Sequence, residues 1–90
     1  MAVEVRIPTI LRTFTGGKKA VHGDGAPLLD LIDDIDARHP GLKDRLVEEQ
    51  GLRRFVNVYV NDEDVRFTGG LAAQTSDGDV VVVLPAVAGG

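Results

Sequence analysis

The sequence predicts an α+β domain: a mixed sheet with one main crossing helix. An alternating strand pattern at the start, an apolar stripe at helical spacing in the first half, and an unbroken apolar run near the end carry that prediction. Ninety residues make one domain, with room for a single hydrophobic core but not for a deep enclosed active site as well. The body is expected over 1–84, followed by a flexible C-terminal tail over 85–90.

Val3, Val5 and Ile7 fall on one face of a first strand, with Glu4 and Arg6 on the other. Pro8 interrupts it, because proline cannot donate to a ladder, and Thr13 and Phe14 are expected to resume it. Thr15-Gly16-Gly17 then forms a turn, and a short second strand over 18–22 completes a hairpin. From Asp24 the pattern becomes helical. Asp24 or Gly25 can cap, Pro27 suits the first helical position, and Leu28, Leu31, Ile32 and Ile35 repeat along one face. Arg38 and His39 complement the C-terminal end of this helix, and Pro40-Gly41 stops it. A second short helix is expected over 42–49, with Leu46 and Val47 facing inward.

A strand over 54–60 places Val56, Val58 and Val60 on one face and Phe55, Asn57 and Tyr59 on the other. Asn61-Asp62-Glu63-Asp64 turns it back, and residues 65–67 can form a short edge strand. Residues 69–73 read as a loop or helical turn, and Ser76-Asp77-Gly78-Asp79 as a tight turn. The last strand, 80–84, is apolar throughout, as expected of a central strand covered on both sides, at least by a partner. A hairpin, a crossing helix and a terminal strand returning beside the first fit the β-grasp arrangement, which sends the tail out from the centre of the sheet.

Composition narrows the function. There is no cysteine, which excludes a disulfide framework, a thiolate nucleophile and a sulfur-rich metal site. A net charge of −4 disfavours nucleic acid and anionic membranes and allows steering towards basic protein partners. The alternating N-terminus lacks the long apolar run of a signal peptide or membrane span, so a cytoplasmic protein is expected. His22 and His39 have no partner at ligand spacing; no metal site is expected, and each reads as structural or solvated. Asp30, Asp33, Asp34 and Asp36 lie mostly opposite the apolar stripe and form a hydrated face, not an acid/base pair. Asp62, Glu63 and Asp64 lack the spacing and closing glutamate of a calcium loop. No residue stands ready to orient either histidine in a serine-type triad.

The second face of the sheet cannot be covered by one helix, so Phe55, Tyr59 and part of the valine run are candidates for exposure. A docking surface there and packing under the second helix are equal alternatives.

What remains reactive is the C-terminal carboxylate of Gly90, carried on Pro85-Ala86-Val87-Ala88-Gly89-Gly90. Two glycines remove every Cβ, so an extended terminus can pass through a channel too narrow for side chains. Pro85 tends to end the strand, and residues 85–90 extended reach roughly 20 Å. Gly16-Gly17 and Gly69-Gly70 are more simply read as turns.

The segment Asp77-Gly78-Asp79-Val80-Val81-Val82-Val83-Leu84-Pro85, with the tail that follows, resembles the end of ubiquitin-like sulfur carriers of the ThiS/MoaD family. Ile7-Pro8-Thr9-Ile10-Leu11-Arg12, Arg54-Phe55-Val56-Asn57 and Val60-Asn61-Asp62-Glu63-Asp64-Val65-Arg66-Phe67 resemble the members of that family that serve cysteine synthesis. The likeness spans nearly the whole chain and departs chiefly at 18–24 and 44–52. It implies a β-grasp fold and a protein cosubstrate, not an enzyme. It also implies that an E1-like enzyme uses ATP to adenylate Gly90, and that sulfur then displaces AMP to leave a thiocarboxylate. Pro85, Ala86, Val87, Ala88 and Gly89 would bind the partners, together with Phe55 and Tyr59.

The sulfur acceptor would be a synthase, in the cysteine case one carrying pyridoxal phosphate (PLP), with a metallopeptidase freeing the product. Molybdopterin, thiazole and a sulfur-containing secondary metabolite are the other acceptors. ATP, PLP and metal would all belong to partners. A ubiquitin-like modifier joined to lysine shares the tail, and a docking module using Phe55 and Tyr59 needs no free terminus.

Overall fold

A computed structural model describes residues 2–85. Strand β1 (Val3–Arg6) pairs antiparallel with β2 (Ala20–Gly23) and parallel with β7 (Val80–Pro85). Strand β5 (Val56–Val60) pairs antiparallel with β7 and with the short β6 (Glu63–Asp64). The order β2-β1-β7-β5-β6 puts the last strand at the centre of a mixed sheet. This is the β-grasp layout expected from the order of elements. Helix α1 (Leu28–Arg38) crosses one face and buries Leu28, Leu31, Ile32 and Ile35 against Val5, Val58, Val81 and Val83. Each such side chain contributes about 1.5–3 kcal/mol on leaving water.

Several local expectations give way to tertiary contacts. Residues 9–15 do not resume a strand: Thr9–Thr15 winds into 3₁₀ turns, with Leu11 buried and Phe14 against Gly41 and under Arg45. The spacing of Leu11 and Phe14 by three residues suits that winding better than a strand's period of two. Neither Asp24 nor Gly25 caps α1, and Pro27 stands at the N-cap instead of the first helical position. The Leu28 amide donates to the Ala73 carbonyl (2.8 Å), so tertiary backbone replaces a side-chain cap. The Asp24 amide is engaged with Asp34 Oδ2 (2.8 Å).

The second helix is shorter than expected. Helix α2 spans Leu42–Leu46, and the chain then folds into a small hairpin of β3 (Val47–Glu48) and β4 (Gly51–Leu52). Continuing the helix would set Glu48 and Glu49 against its negative C-terminal end. Leu46 is buried as expected, while Val47 is only partly buried. Similarly, the strand expected over 54–60 begins at Val56, leaving Phe55 in the preceding turn. The edge strand lies at Glu63–Asp64 instead of 65–67, because the Asp64 carboxylate accepts the Arg66 amide (2.9 Å) and turns Val65–Phe67 into 3₁₀. Of the loop or helical turn read over 69–73, the structure has the helical turn, a 3₁₀ turn at Gly70–Ala72.

Candidate functional site

The sequence-derived site divides at the last described residue. Ala86, Val87, Ala88, Gly89 and Gly90 lie outside the described residues. Pro85 is described, and it closes β7 opposite Val56, one residue further along the strand than expected.

The root of the tail has an asymmetric setting. Pairing of β7 with β1 reaches only to Arg6↔Val82, whereas pairing with β5 continues through Leu84 and Pro85. On the β2 side the ladder carries on, with the Ile7 amide donating to the Lys19 carbonyl (2.8 Å), but towards β7 it stops because Pro8 has no N–H to continue it. The end of β7 therefore runs past its neighbour, and an open groove lies on each side of it. One, towards α2, is lined by Phe14, Arg45, Arg53 and Phe55; the other, towards the open sheet face, by Arg6, Arg12, Lys19 and Val82. Pro8, Ile10, Val83, Leu84 and Pro85 line both.

Among the described residues, the large apolar side chains that stand exposed are Ile10 (67%), Phe55 (57%), Leu84 (45%) and Phe67 (86%). The first three line the groove at the root of the tail, and Phe67 lies apart on its 3₁₀ turn. Water-facing apolar surface concentrated at one place marks an interaction site. Phe55 belongs to this cluster. Tyr59 does not: it is partly buried on the open face of the sheet, directly opposite Val82 and Asp64. The strand β7 itself is covered on one face only, with Val81 and Val83 buried while Leu84 and Pro85 are exposed. Ile10 and Leu84 are the members that sequence reasoning missed. The available signal was that Ile10 and Leu11 stand side by side after Pro8, where one short turn cannot bury both.

Elsewhere the polar groups are structural. Arg6 hydrogen-bonds Glu4 (2.8 Å) and thereby holds the Glu4 carboxyl below its ordinary range. The His22 carbonyl accepts from Arg38 (2.6 Å), and the His39 amide donates to Ile35 (2.9 Å) at the end of α1. Asp34 accepts from Arg38 and from the Asp24 amide, while Asp36 accepts from the amides of Gly41 and Lys43. Among the described residues no cluster of His, Cys, Asp or Glu could hold a metal ion, and no helix is long and apolar enough to cross a membrane.

Comparison with known proteins adds a pattern. Residues 5–90 match the model of the ThiS family. The chain is 55% identical over 93 residues to sulfur carrier protein CysO of Mycobacterium tuberculosis, with 100% of both chains covered. It is 35% identical over 92 residues to small archaeal modifier protein 3 of Haloferax volcanii, again with 100% of both covered. Its structure superposes on a chain of the Amycolatopsis orientalis BexX/CysO complex with a TM-score of 0.94 and 64% identity, covering 99% of this chain and 100% of that one.

Proposed function

The chain belongs to the ThiS family, and we infer from that membership that it is a CysO-type sulfur carrier, a protein acted on by enzymes and not itself a catalyst. The observation that carries this reading is the cluster of Ile10, Phe55 and Leu84 at the root of the tail, in a chain matched end to end with a named sulfur carrier. A carboxylate is a poor acyl donor until it gains a leaving group. An E1-like enzyme supplies it: an oxygen of Gly90 attacks the α-phosphorus of ATP, pyrophosphate leaves, and an acyl-adenylate forms. A sulfur nucleophile then attacks the carbonyl carbon and expels AMP, replacing one oxygen by sulfur. The resulting terminal sulfur is a soft anion and a strong nucleophile at neutral pH.

Residues Pro85 to Gly89 deliver that group, and the apolar cluster seats the body of the protein on the enzyme. The acceptor is a synthase, with PLP on it, that builds cysteine still joined to the carrier's C-terminus, and a metallopeptidase hydrolyses that bond to release the amino acid. The ATP supply these steps need places them in the cytoplasm. The A. orientalis CysO is found in complex with BexX, which supports docking of this chain on a similar partner enzyme.

Intact mass measurement after incubation with the activating enzyme, ATP and sulfide tests the reading. A mass gain of sulfur for oxygen at Gly90 is expected, and an unchanged mass overturns it. One residue appended after Gly90 should abolish the gain while leaving thermal stability unchanged, since the core cluster is built from residues between Val3 and Val83.

The likeness to a small archaeal modifier protein favours a second reading, conjugation of Gly90 to lysine side chains. Isopeptide-linked adducts in extracts containing the tagged chain would support it, and their absence under conditions that yield thiocarboxylate would remove it.

A further inference from the structure

The net charge of −4 points to basic partners, but the charge is not spread evenly. At the end of the sheet where β1 and β7 begin, Asp77 accepts the Ala2 amide and Asp79 accepts from Asn61, with Asp62 in the adjoining turn and Glu63 opening β6. At the other end, where β7 finishes, Arg12 and Lys19 line one groove and Arg45 and Arg53 the other. Asp44 is the only acidic residue lining either groove.

Three of these four cations are held in place by uncharged groups. Arg12 Nε donates to the Ile7 carbonyl (3.0 Å), Arg53 Nε donates to the Asp44 carbonyl (2.8 Å), and the Arg45 guanidinium sits 5.3 Å from the Phe14 ring centre. Among the described residues none of the four enters an ion pair; the pairs present are Arg6–Glu4, Arg38–Asp34 and Lys43–Asp33. A partner that covered Ile10 and Leu84 would cover or closely approach these charges too, and a buried cation without a carboxylate is strongly unfavourable.

We propose that the tail root docks on acidic protein surfaces, in which carboxylates ring an apolar patch that receives Ile10 and Leu84. This deepens the carrier reading, on which it rests for the claim that partners approach along the tail. It reverses the sign of partner expected from net charge. The local field around the tail, rather than the charge of the whole molecule, sets the approach: attraction acts within a Debye length of about 8 Å at physiological salt. Encounter is therefore fast at low salt and slows as salt rises.

The test uses the full chain, labelled with nitrogen-15, and capped peptides of alternating leucine and glutamate or of alternating leucine and lysine. Amide shifts of Arg12, Lys19, Arg53 and Leu84 should move with the glutamate peptide, move at least several-fold less with the lysine peptide, and fade at high salt. Lys19→Glu and the double variant Lys19→Glu/Arg53→Glu, checked for wild-type amide dispersion, should lose most of the response. Equal responses to both peptides, or none to either, overturn the proposal. A response to ATP without one to the glutamate peptide overturns it in favour of a phosphate ligand, and shifts that grow with protein concentration alone do so in favour of a second copy. Because the peptides require no activation of Gly90, failure here and failure of thiocarboxylate formation are separate results.

Discussion

Single atoms decide how tightly the hairpin sits on the helix. Gly23, the last residue of β2, carries no left-handed φ, so backbone freedom is not what the position requires. Space is: a Cβ there would lie 2.7 Å from Leu31 Cδ1 and 2.8 Å from Ile35 Cγ1, and both side chains are buried. Gly23→Ala should therefore destabilise the protein by about 1–3 kcal/mol through overpacking. Urea denaturation measures it, and a midpoint equal to that of the parent would show that the core yields. Thr75 is a second such point. Its hydroxyl donates to the carbonyls of Gly25 (2.5 Å) and Ala26 (3.0 Å), tying the loop before α1 to the segment after Gly70–Ala72. Thr75→Val keeps the shape and removes the donor from the partly buried Gly25 carbonyl, at a cost of roughly 0.5–1.5 kcal/mol. Thr75→Ser, which retains the hydroxyl, should recover most of the loss in the same denaturation series.

Elements built on one unambiguous period are legible in the sequence, and the rest depend on neighbours. Strand β1 alternates strictly, α1 repeats Leu28, Leu31, Ile32 and Ile35 along one side, and β7 is apolar because it is central. Residues 42–52 satisfy a helix for one turn and a hairpin afterwards, and only the close of the hairpin, with the Arg53 amide on the Leu46 carbonyl, decides between them. The candidate site divides in the same way. Gly89-Gly90 is singled out in the sequence by its terminal position after Pro85, whereas Ile10, Phe55 and Leu84 become a cluster only when β7 outruns β1. Contacts between elements also titrate. The Asp34 carboxyl lies below the ordinary aspartate range, first because Arg38 hydrogen-bonds it and second because the Asp24 amide does. A pKa lowered by folding gives a contribution present above the unfolded value and lost as pH falls through the native one. Acid should accordingly loosen α1 from β2 at the Asp24 amide. The Asp34 carboxyl carbon shift should titrate with a midpoint below that of ordinary aspartates, and Arg38→Gln should raise that midpoint; a midpoint in the ordinary range would rule out the bonded carboxylate.

At the scale of the molecule, β7 is at once the centre of the core and the platform of the tail, and its alternation keeps the two roles separate. Val81 and Val83 face the helix and are 1% and 3% exposed, while Leu84 is 45% exposed beside Pro85. Neighbouring residues on one strand should therefore respond in opposite ways. Val83→Ser removes buried methyls, puts a hydroxyl among Leu28, Leu31 and Ile35, and should cost about 2–4 kcal/mol. Leu84→Ser changes a surface group and should alter stability by less than about 0.5 kcal/mol. Its effect belongs to docking. If Ile10, Phe55 and Leu84 seat the body of the carrier, Leu84→Ser should lower the efficiency of thiocarboxylate formation at least about tenfold, equivalent to about 1.4 kcal/mol of binding. The loss should appear as a raised half-saturating carrier concentration, with the rate at saturation kept, because the chemistry at Gly90 is untouched. Paired denaturation and activation assays on the two variants separate the roles. A Leu84→Ser protein that is stable and activated as well as the parent would mean that the tail is recognised without its root.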